Sequence, residues 1–326
     1  MISARMAGLM AGIPDSVPVM SINRQCSSGL QAVASIANAI IAGQIDAGIG
    51  GGVESMSMFD MMASLDITKI SSTVFENEGA RNCLIPMGMT SENVVEKYNI
   101  SREVQDKMAL ESHHKALRAQ ETGLFDSEIV PVTVTDPDTG KTTVVSKDEG
   151  MRKGLTLESL GALGPSFKKG GTTTAGNASQ LTDGAAVVLL ARRSFAQAKG
   201  LVILGKFVGF SAVGCPPEIM GIGPAVAIPA VLKQTNLTMD DIDIFEINEA
   251  FASQATYCVD VLKVPRHKLN PKGGAIALGH PLGCTGARQI ATLFPEMKRT
   301  RAKRGIVSMC IGAGMGAAAV FENEQV

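Results

Sequence analysis

The order of apolar and polar positions in the first part of the chain is typical of a parallel α/β sheet. A short apolar stretch at residues 18–23 predicts a strand, and it leads directly into a Cys-Ser-Ser-Gly turn at residues 26–29. Residues 30–43 carry apolar side chains on nearly every face, which predicts a deeply buried helix. A second apolar run at residues 45–52 predicts another strand. This succession of strand, turn, helix and strand favours an α/β fold.

The character of the chain changes between residues 57 and 182. Ser101 is placed to cap a charged amphipathic helix that Gly123 closes, and residues 130–146 predict a β-hairpin. Residues 168–184 show no hydrophobic period and predict a loop. We therefore interpret residues 57–182 as an insertion on the α/β core rather than as a separate fold.

The α/β pattern then returns, with a layout similar to that of the first part. Residues 183–200 are interpreted as a return to the N-terminal half, which begins with residues 1–56, and residues 201–326 as a C-terminal half. Cys26 and Cys284 each open an apolar helix that a glycine-rich strand end follows. Two copies of one α/β unit would bring their glycine turns together in one crevice.

Composition and charge exclude several classes of protein. The chain has 326 residues, of which 45% are hydrophobic and 19% charged, enough for a large core in two or three domains. Its net charge of −1 gives no positive electrostatic field that would attract nucleic acid. With no Trp and two Tyr, the chain also has few aromatic side chains on which bases could stack. No apolar run reaches the roughly 18 residues of a membrane span. We expect a folded protein with no nucleic-acid partner and no membrane span.

The six cysteines and four histidines predict neither disulfides nor a metal site. The cysteines lack the close spacing of a disulfide framework, and no spacing matches a zinc motif. This pattern is typical of a reducing compartment. The adjacent pair His113 and His114 lies on the charged helix and is expected to be solvated, and His267 is expected in a surface connection.

Cys26 is the first candidate for chemistry. It lies where a strand becomes a helix, so its sulfur would face unpaired N–H groups and the positive end of the helix dipole. Such surroundings lower the pKa of a thiol and make it a nucleophile. The alternative is a small buried hydrophobic residue, as most free cysteines are. Gly29, which permits close approach of a ligand, leaves the two interpretations about even.

Other polar positions lie at glycine turns or strand ends. His280 is held in a turn between a glycine and a proline, which favours a functional role about as strongly as a core position. Cys310 ends an apolar strand and precedes a glycine turn at residues 312–316, whose N–H groups suit an oxyanion. That turn lacks the pattern of a dinucleotide loop. Asn248 and Glu249 close another strand, at the end where open α/β sheets place their sites.

Four blocks of the sequence resemble the signature blocks of the thiolases, and they keep that family's order and spacing. They are NRQCSSGLQAV, INEAFASQ, GGAIALGHPLGCTGAR and SMCIGAGMGAAAVFE. PMGMTSENV and TTTAGNASQLTDGAA match the family's insertion and loop blocks, so the resemblance covers essentially the whole chain. Residues 25–29 and 86–88 are most similar to the peroxisomal 3-ketoacyl-CoA branch, since acetoacetyl-CoA thiolases usually carry His where Pro86 stands.

The resemblance implies a thiolase fold. This fold has two similar α/β halves, with mixed sheets packed around buried helices, and an insertion (loop) domain. Family chains carry a complete βαβ start, a unit of roughly 30 residues or more, ahead of the nucleophile strand. Only 17 residues precede Pro18 here. We therefore expect the N-terminal half to lack its first strands.

The resemblance also implies roles for the site residues. Cys26 would be the nucleophile that takes the acyl group as a thioester, and His280 would deprotonate it and help hold the thioester oxygen of the substrate. Cys310 would act as acid and base at the α-carbon. Asn248 would fix a water in one oxyanion site, and the backbone N–H groups of Cys26 and Gly312 would form the other. The positions matching the coenzyme A channel are Ser179, Met87, Met220 and Phe251.

The implied reaction cleaves 3-ketoacyl-CoA with coenzyme A, giving acetyl-CoA and a shortened acyl-CoA, as in fatty acid β-oxidation. Coenzyme A would be a co-substrate, with no permanently bound cofactor. One alternative is an acetoacetyl-CoA thiolase working in the condensing direction. A decarboxylating ketosynthase fits less well, because Cys310 stands where those sites place a second His or an Asn. A truncated, non-catalytic acyl-CoA-binding partner is the alternative from another class.

The resemblance further implies a homodimer and a peroxisomal location. The first residues predict an amphipathic helix ending near Gly12 and are too weak for a secretory signal. The final Glu-Gln-Val is not a peroxisomal tripeptide, so we expect the targeting segment to be absent from this chain. Cytoplasmic and mitochondrial locations are the alternatives.

Overall fold

The structure, a computed structural model, describes residues 1–58 and 67–325. The α-helices are α1 (Ile2–Met10), α2 (Ser28–Ile41), α3 (Thr73–Glu76), α4 (Glu78–Asn82), α5 (Met87–Tyr98), α6 (Arg102–Glu121), α7 (Leu157–Gly161), α8 (Arg193–Ala198), α9 (Gly223–Thr235), α10 (Ala252–Val261), α11 (Ala275–Leu278) and α12 (Thr285–Thr300). The strands are β1 (Ala47–Ser55), β2 (Val132–Thr135), β3 (Thr142–Val145), β4 (Asp183–Ala191), β5 (Gly205–Gly214), β6 (Ile244–Ile247), β7 (Arg304–Ile311) and β8 (Met315–Asn323). Short 3-10 helices include Gln25–Ser27 and Pro217–Ile222.

The C-terminal half contains the predicted mixed sheet. Its strand order is β5-β8-β7-β6, in which only β6 and β7 run parallel. Side chains alternate between the two faces of a strand, so each face packs against a different helix. Ile306 of β7 lies in the core cluster with Ile228 of α9, whereas Val307 lies in a second cluster with Leu293 of α12. The sheet is therefore covered on both faces.

The N-terminal half repeats part of this arrangement. Strands β1 and β4 pair antiparallel, from Ala47 opposite Ala191 to Ser55 opposite Asp183. Helix α2 precedes β1 as α12 precedes β7, and the two helices cross at glycines. A Cβ atom on Gly286 would lie 2.4 Å from the backbone nitrogen of Leu30. The internal repeat expected from the sequence is thus visible, and it brings the first turns of α2 and α12 together.

Two predictions for this half are wrong. Residues 18–23 form no strand, because a strand needs a neighbour to pair with, and the described N-terminal sheet consists of β1 and β4 alone. Helix α2 is buried on one face rather than all round, and Ile41 is 74% exposed. Val187 and Leu189 of β4 are 71% and 60% exposed. No helix of the described residues buries these two side chains, whereas α9 packs against β5 and β8 in the C-terminal half.

The middle region follows the sequence prediction more closely. The side chain of Ser101 accepts a hydrogen bond from the backbone N–H of Val104 and caps α6. Gly123, with φ +71°, follows the end of that helix, and β2 and β3 form the predicted hairpin. The boundaries at residues 57–182, 183–200 and 201–326 stay predictions.

His113 corrects a further expectation. His114 is exposed as predicted, but His113 is buried, and its Nδ1 accepts a hydrogen bond from the backbone N–H of Arg152 at 3.1 Å. Burial lowers its pKa to about 4, helped by the charge of Arg152. His113 therefore fastens a loop to α6 in its neutral form. Within the described ranges, three or more His, Cys, Asp or Glu side chains nowhere gather as a metal site would require. None of the described helices is both long and apolar enough to cross a membrane.

A buried carboxyl group on β6 makes stability depend on pH. Neither carboxyl oxygen of Glu246 has a hydrogen-bond partner among residues 1–58 and 67–325. Burial raises the pKa of Glu246 to about 8, although Arg288 and Lys272 attract its charge. The folded protein thus keeps a proton that the unfolded chain releases near pH 4.5. This contribution is present below that pH and is lost as the pH rises through about 8.

We expect Glu246→Gln to flatten this loss of stability. The neutral amide cannot be ionised, so the melting temperature of the variant should fall less than that of the parent between pH 5 and pH 9. Thermal unfolding across that range measures the difference. Glu149→Gln, at an exposed carboxylate, should leave the slope unchanged. Parallel curves for Glu246→Gln and the parent protein would contradict the assignment.

Candidate active site

Cys26 lies in a tight turn that the chain's own side chains hold together. Gln25 has φ +48°, in the left-handed region that non-glycine residues rarely adopt. Asn23 accepts a hydrogen bond from the N–H of Gln25 at 2.8 Å. Ser28 accepts from the N–H of Arg24 at 2.9 Å and donates to the carbonyl of Gln25 at 2.7 Å. These bonds sustain the strained backbone that presents Cys26 at the start of α2.

The pKa of Cys26 differs from the sequence expectation. Burial raises it to about 11, although the backbone N–H groups of Gly312 and of Cys26 itself favour the thiolate. The charge of Glu54 raises it further. The expectation of a lowered pKa was wrong, because the loss of hydration outweighs the N–H groups at the helix start. Cys26 therefore rests as a thiol, and it needs a base to become a nucleophile.

The candidate for that base is His280, a buried imidazole. Burial lowers the pKa of His280 to about 3, and the charge of Arg288 acts in the same direction. His280 is therefore neutral and able to accept a proton. The amide nitrogen of Asn248 lies 3.3 Å from its Nε2, and the hydroxyl oxygen of Thr285 lies 2.6 Å from its Nδ1. The structure thus joins His280 and Asn248, as predicted, and adds Thr285.

Thr285 is the site residue that sequence reasoning missed. It occurs five residues after His280 within the same sequence block, and it begins helix α12. A threonine at a helix start is usually explained by the helix alone. The signal in the sequence was its position five residues after a histidine in a turn. This spacing is short enough for the chain to bring the threonine hydroxyl back to the imidazole ring.

Cys310 ends β7 in the same site. It is completely buried. Burial raises the pKa of its thiol well above the usual value, and charge on Cys26 raises it further, so the two sulfurs interact. The thiol of Cys310 is therefore protonated at rest. The turn after Cys310 packs on the turn of Cys26, since a Cβ atom on Gly312 would lie 2.2 Å from the Gln25 side-chain oxygen.

The residues expected to line the coenzyme A channel lie around Cys310. Cys310, Met220 and Phe251 belong to one buried apolar cluster, against which Met87 packs. The backbone N–H of Ser179 donates to the carbonyl of Ala250, in the same cluster, at 3.0 Å. Four residues distant in the sequence therefore line one side of the site, although their contact with coenzyme A stays a prediction.

Glu249, which the sequence placed beside Asn248, fastens the site together. Its carboxylate accepts hydrogen bonds from the Ser112 hydroxyl at 2.6 Å and the Asn270 amide at 2.7 Å. A Cβ atom on Gly274 would lie 2.1 Å from that carboxyl group, so only glycine fits there. Glu249 thereby connects helix α6 and the loop before His280 to the end of β6.

Together these groups can support acyl transfer. A thiol such as Cys26 can act as a soft nucleophile, and a neutral imidazole such as His280 can accept a proton. The second thiol, Cys310, is a weak acid that interacts electrostatically with Cys26. Backbone N–H groups of Cys26 and Gly312 face the Cys26 sulfur and can stabilise negative charge there.

Comparison with known proteins agrees with this site. The family model "Thiolase, N-terminal domain" matches residues 1–194, and "Thiolase, C-terminal domain" matches residues 201–323. The human peroxisomal 3-ketoacyl-CoA thiolase is 60% identical over 326 residues, which cover 98% of this chain and 76% of that protein.

Solved structures show the same fold. The dimeric peroxisomal thiolase of Saccharomyces cerevisiae matches with a TM-score of 0.91 and 53% identity, over 98% of this chain and 80% of that one. Human mitochondrial 3-ketoacyl-CoA thiolase in complex with CoA matches with a TM-score of 0.87 and 38% identity, over 98% and 82%. The chain has the thiolase fold and belongs to the thiolase family.

Proposed function

We propose that this protein cleaves 3-ketoacyl-CoA with coenzyme A, giving acetyl-CoA and an acyl-CoA two carbons shorter, the last step of a β-oxidation cycle. The observation that carries the proposal is the pair of interacting thiols, Cys26 and Cys310, in a chain that also holds a buried neutral imidazole, His280, against Asn248. Cleavage of a carbon–carbon bond next to a ketone requires a nucleophile and a separate acid at the α-carbon, and the two thiols supply both.

In the first half-reaction, His280 takes the proton of Cys26, and the thiolate attacks the 3-keto carbon. The N–H groups of Cys26 and Gly312 hold the resulting oxyanion. The bond between the α-carbon and the 3-keto carbon then breaks and leaves an acyl thioester on Cys26. A water fixed by Asn248, together with His280, holds the thioester oxygen of the departing acetyl-CoA carbanion, and Cys310 donates the proton to its α-carbon.

In the second half-reaction, the thiolate of Cys310 takes the proton of incoming coenzyme A. The coenzyme A thiolate attacks the acyl group on Cys26, and the shortened acyl-CoA leaves. His280 returns its proton to Cys26, so every group ends in its starting state. Coenzyme A enters as a co-substrate, and the mechanism uses no permanently bound cofactor.

The channel, assembly and location are part of the same proposal. Met220 and Phe251 share a cluster with Cys310, Met87 packs against that cluster, and Ser179 bonds to its Ala250. These residues would line the path of coenzyme A: Ser179, Met87, Met220 and Phe251. The yeast relative is dimeric and the human relative is peroxisomal, so we propose a homodimer in the peroxisome. Cytoplasmic and mitochondrial locations remain the alternatives.

Cleavage kinetics on substrates of different chain length test the proposal. Purified protein is given coenzyme A with 3-ketoacyl-CoA of four carbons or of twelve and more, and acetyl-CoA release is measured. We expect efficient cleavage of the long substrates. Cleavage of the four-carbon substrate alone would favour an acetoacetyl-CoA thiolase. Acyl-CoA binding without any thioester on Cys26 would instead favour a non-catalytic partner.

A further inference from the structure

Thr285 makes a contact with His280 that the mechanism above does not use. Its side chain is completely buried at the start of α12, and its hydroxyl oxygen lies 2.6 Å from Nδ1 of the imidazole. The hydrogen bond between these two groups can run in either of two directions. Either the hydroxyl donates to Nδ1 and Nε2 carries the ring proton, or Nδ1–H donates to the hydroxyl and Nε2 is free. Only the second arrangement leaves Nε2 able to accept a proton.

The Asn248 amide does not settle the direction, because it favours neither ring nitrogen. Its nitrogen lies 3.3 Å from Nε2 and 3.4 Å from Nδ1, so it is not in line with the lone pair of either. Nδ1 has the close partner, Thr285, and Nε2 is the nitrogen left to take a proton. A neutral imidazole has one hydrogen, so a base that works through Nε2 carries this hydrogen on Nδ1, where it points at Thr285.

We propose that Thr285 is a positioning residue that accepts a hydrogen bond from Nδ1–H of His280 and thereby keeps Nε2 free to take the proton of Cys26. The proposal rests on the proposed role of His280 as the base for Cys26. Thr285 acts by selecting one tautomer and one ring orientation, as hydrogen-bond partners of functional histidines generally do.

Two substitutions separate this role from simple packing. Thr285→Val keeps the β-branched shape but removes the hydroxyl, leaving a buried Nδ1–H without its acceptor. We expect the rate of Cys26 alkylation by iodoacetamide at pH 7 to fall about 10- to 100-fold, the effect of leaving a buried polar group unpaired. Thr285→Ser keeps the hydroxyl and should restore most of that rate. Mass spectrometry of the Cys26 peptide distinguishes its alkylation from that of the other cysteines.

A matched control lies on the same helix. Thr292 is also buried, and its hydroxyl donates to the Glu128 carboxylate at 2.8 Å. Thr292→Val therefore removes a buried hydroxyl from α12 without touching the imidazole. It should lower the melting temperature but leave Cys26 alkylation as in the parent protein. Equal slowing by both valine variants would show that Thr285 acts only through the stability of α12, and would overturn the proposal.

Nitrogen-15 NMR of histidine-labelled protein reads the tautomer directly. The His280→Gln spectrum assigns the His280 signals. We expect the parent protein and Thr285→Ser to show the Nδ1–H form, and Thr285→Val to shift towards Nε2–H. An Nε2–H tautomer in the parent protein would overturn the proposal even if no variant folds. Both readouts work without substrate, so a protein that cleaves another acyl-CoA would refute the proposed function and leave this inference standing.

Discussion

Cys26→Ala should abolish the acyl-enzyme and lower kcat on the order of 10⁴-fold or more, the scale seen when a covalent nucleophile is removed. The reaction divides at the thioester on this sulfur, and alanine offers no atom to carry the acyl group. Binding of coenzyme A should be largely retained, because the cluster around Met220 and Phe251 is untouched.

The acyl label locates the nucleophile. Protein mixed with 3-ketoacyl-CoA is digested, and mass spectrometry searches the peptide of residues 25–31 for the added acyl mass. Cys258→Ala, at a buried cysteine on α10, serves as the control and should still carry the label on Cys26. A label found on Cys310 alone would reverse the roles of the two thiols.

Cys310→Ser should separate acylation from chemistry at the α-carbon. Burial keeps the Cys310 thiol protonated at rest, as an acid that donates to a carbanion must be. Serine keeps the shape but is a far weaker acid. We expect exchange of the acetyl-CoA α-protons with solvent to fall by at least about 10²-fold, the low end for loss of a general acid–base group.

Deuterium incorporation into acetyl-CoA, followed by NMR, measures this exchange. The same variant should still acylate Cys26 from an acyl-CoA donor, which shows that its nucleophile and base are intact. Exchange at the parental rate would mean that Cys310 is not the acid/base at the α-carbon, and His280 would have to serve both steps.

Local signals in the sequence predicted the local structure well. The cap at Ser101, the glycine after α6 and the hairpin of β2 and β3 each depend on neighbouring residues, and all are present. The prediction of a strand at residues 18–23 was wrong for the opposite reason. Their pattern is suitable for a strand, but pairing depends on a distant neighbour that no local pattern reveals.

The site was predicted in position more accurately than in its electrostatics. The sequence predicted that glycine turns and strand ends bring Cys26, His280, Asn248 and Cys310 together. The structure pairs Asn248 with His280 and Cys310 with Cys26, at the ends of the neighbouring strands β6 and β7. The sequence did not predict that burial removes water from around the Cys26 thiol, so the predicted direction of its pKa shift was wrong. Burial depends on every element packed around a group, which the residues next to it in sequence do not report.

The exposed apolar side chains of β4 favour self-association of the chain at high concentration. Val187 and Leu189 of β4 line a groove of about 700 Å³ together with Ile41 and Val202, so exposed apolar side chains are contiguous rather than scattered. Contiguous apolar surface beside unpaired strand edges promotes self-association. Solubility during purification thus depends on β4, which lies at some distance from the active site. Charged substitutions at Val187 and Leu189 are expected to reduce self-association and give a more soluble preparation.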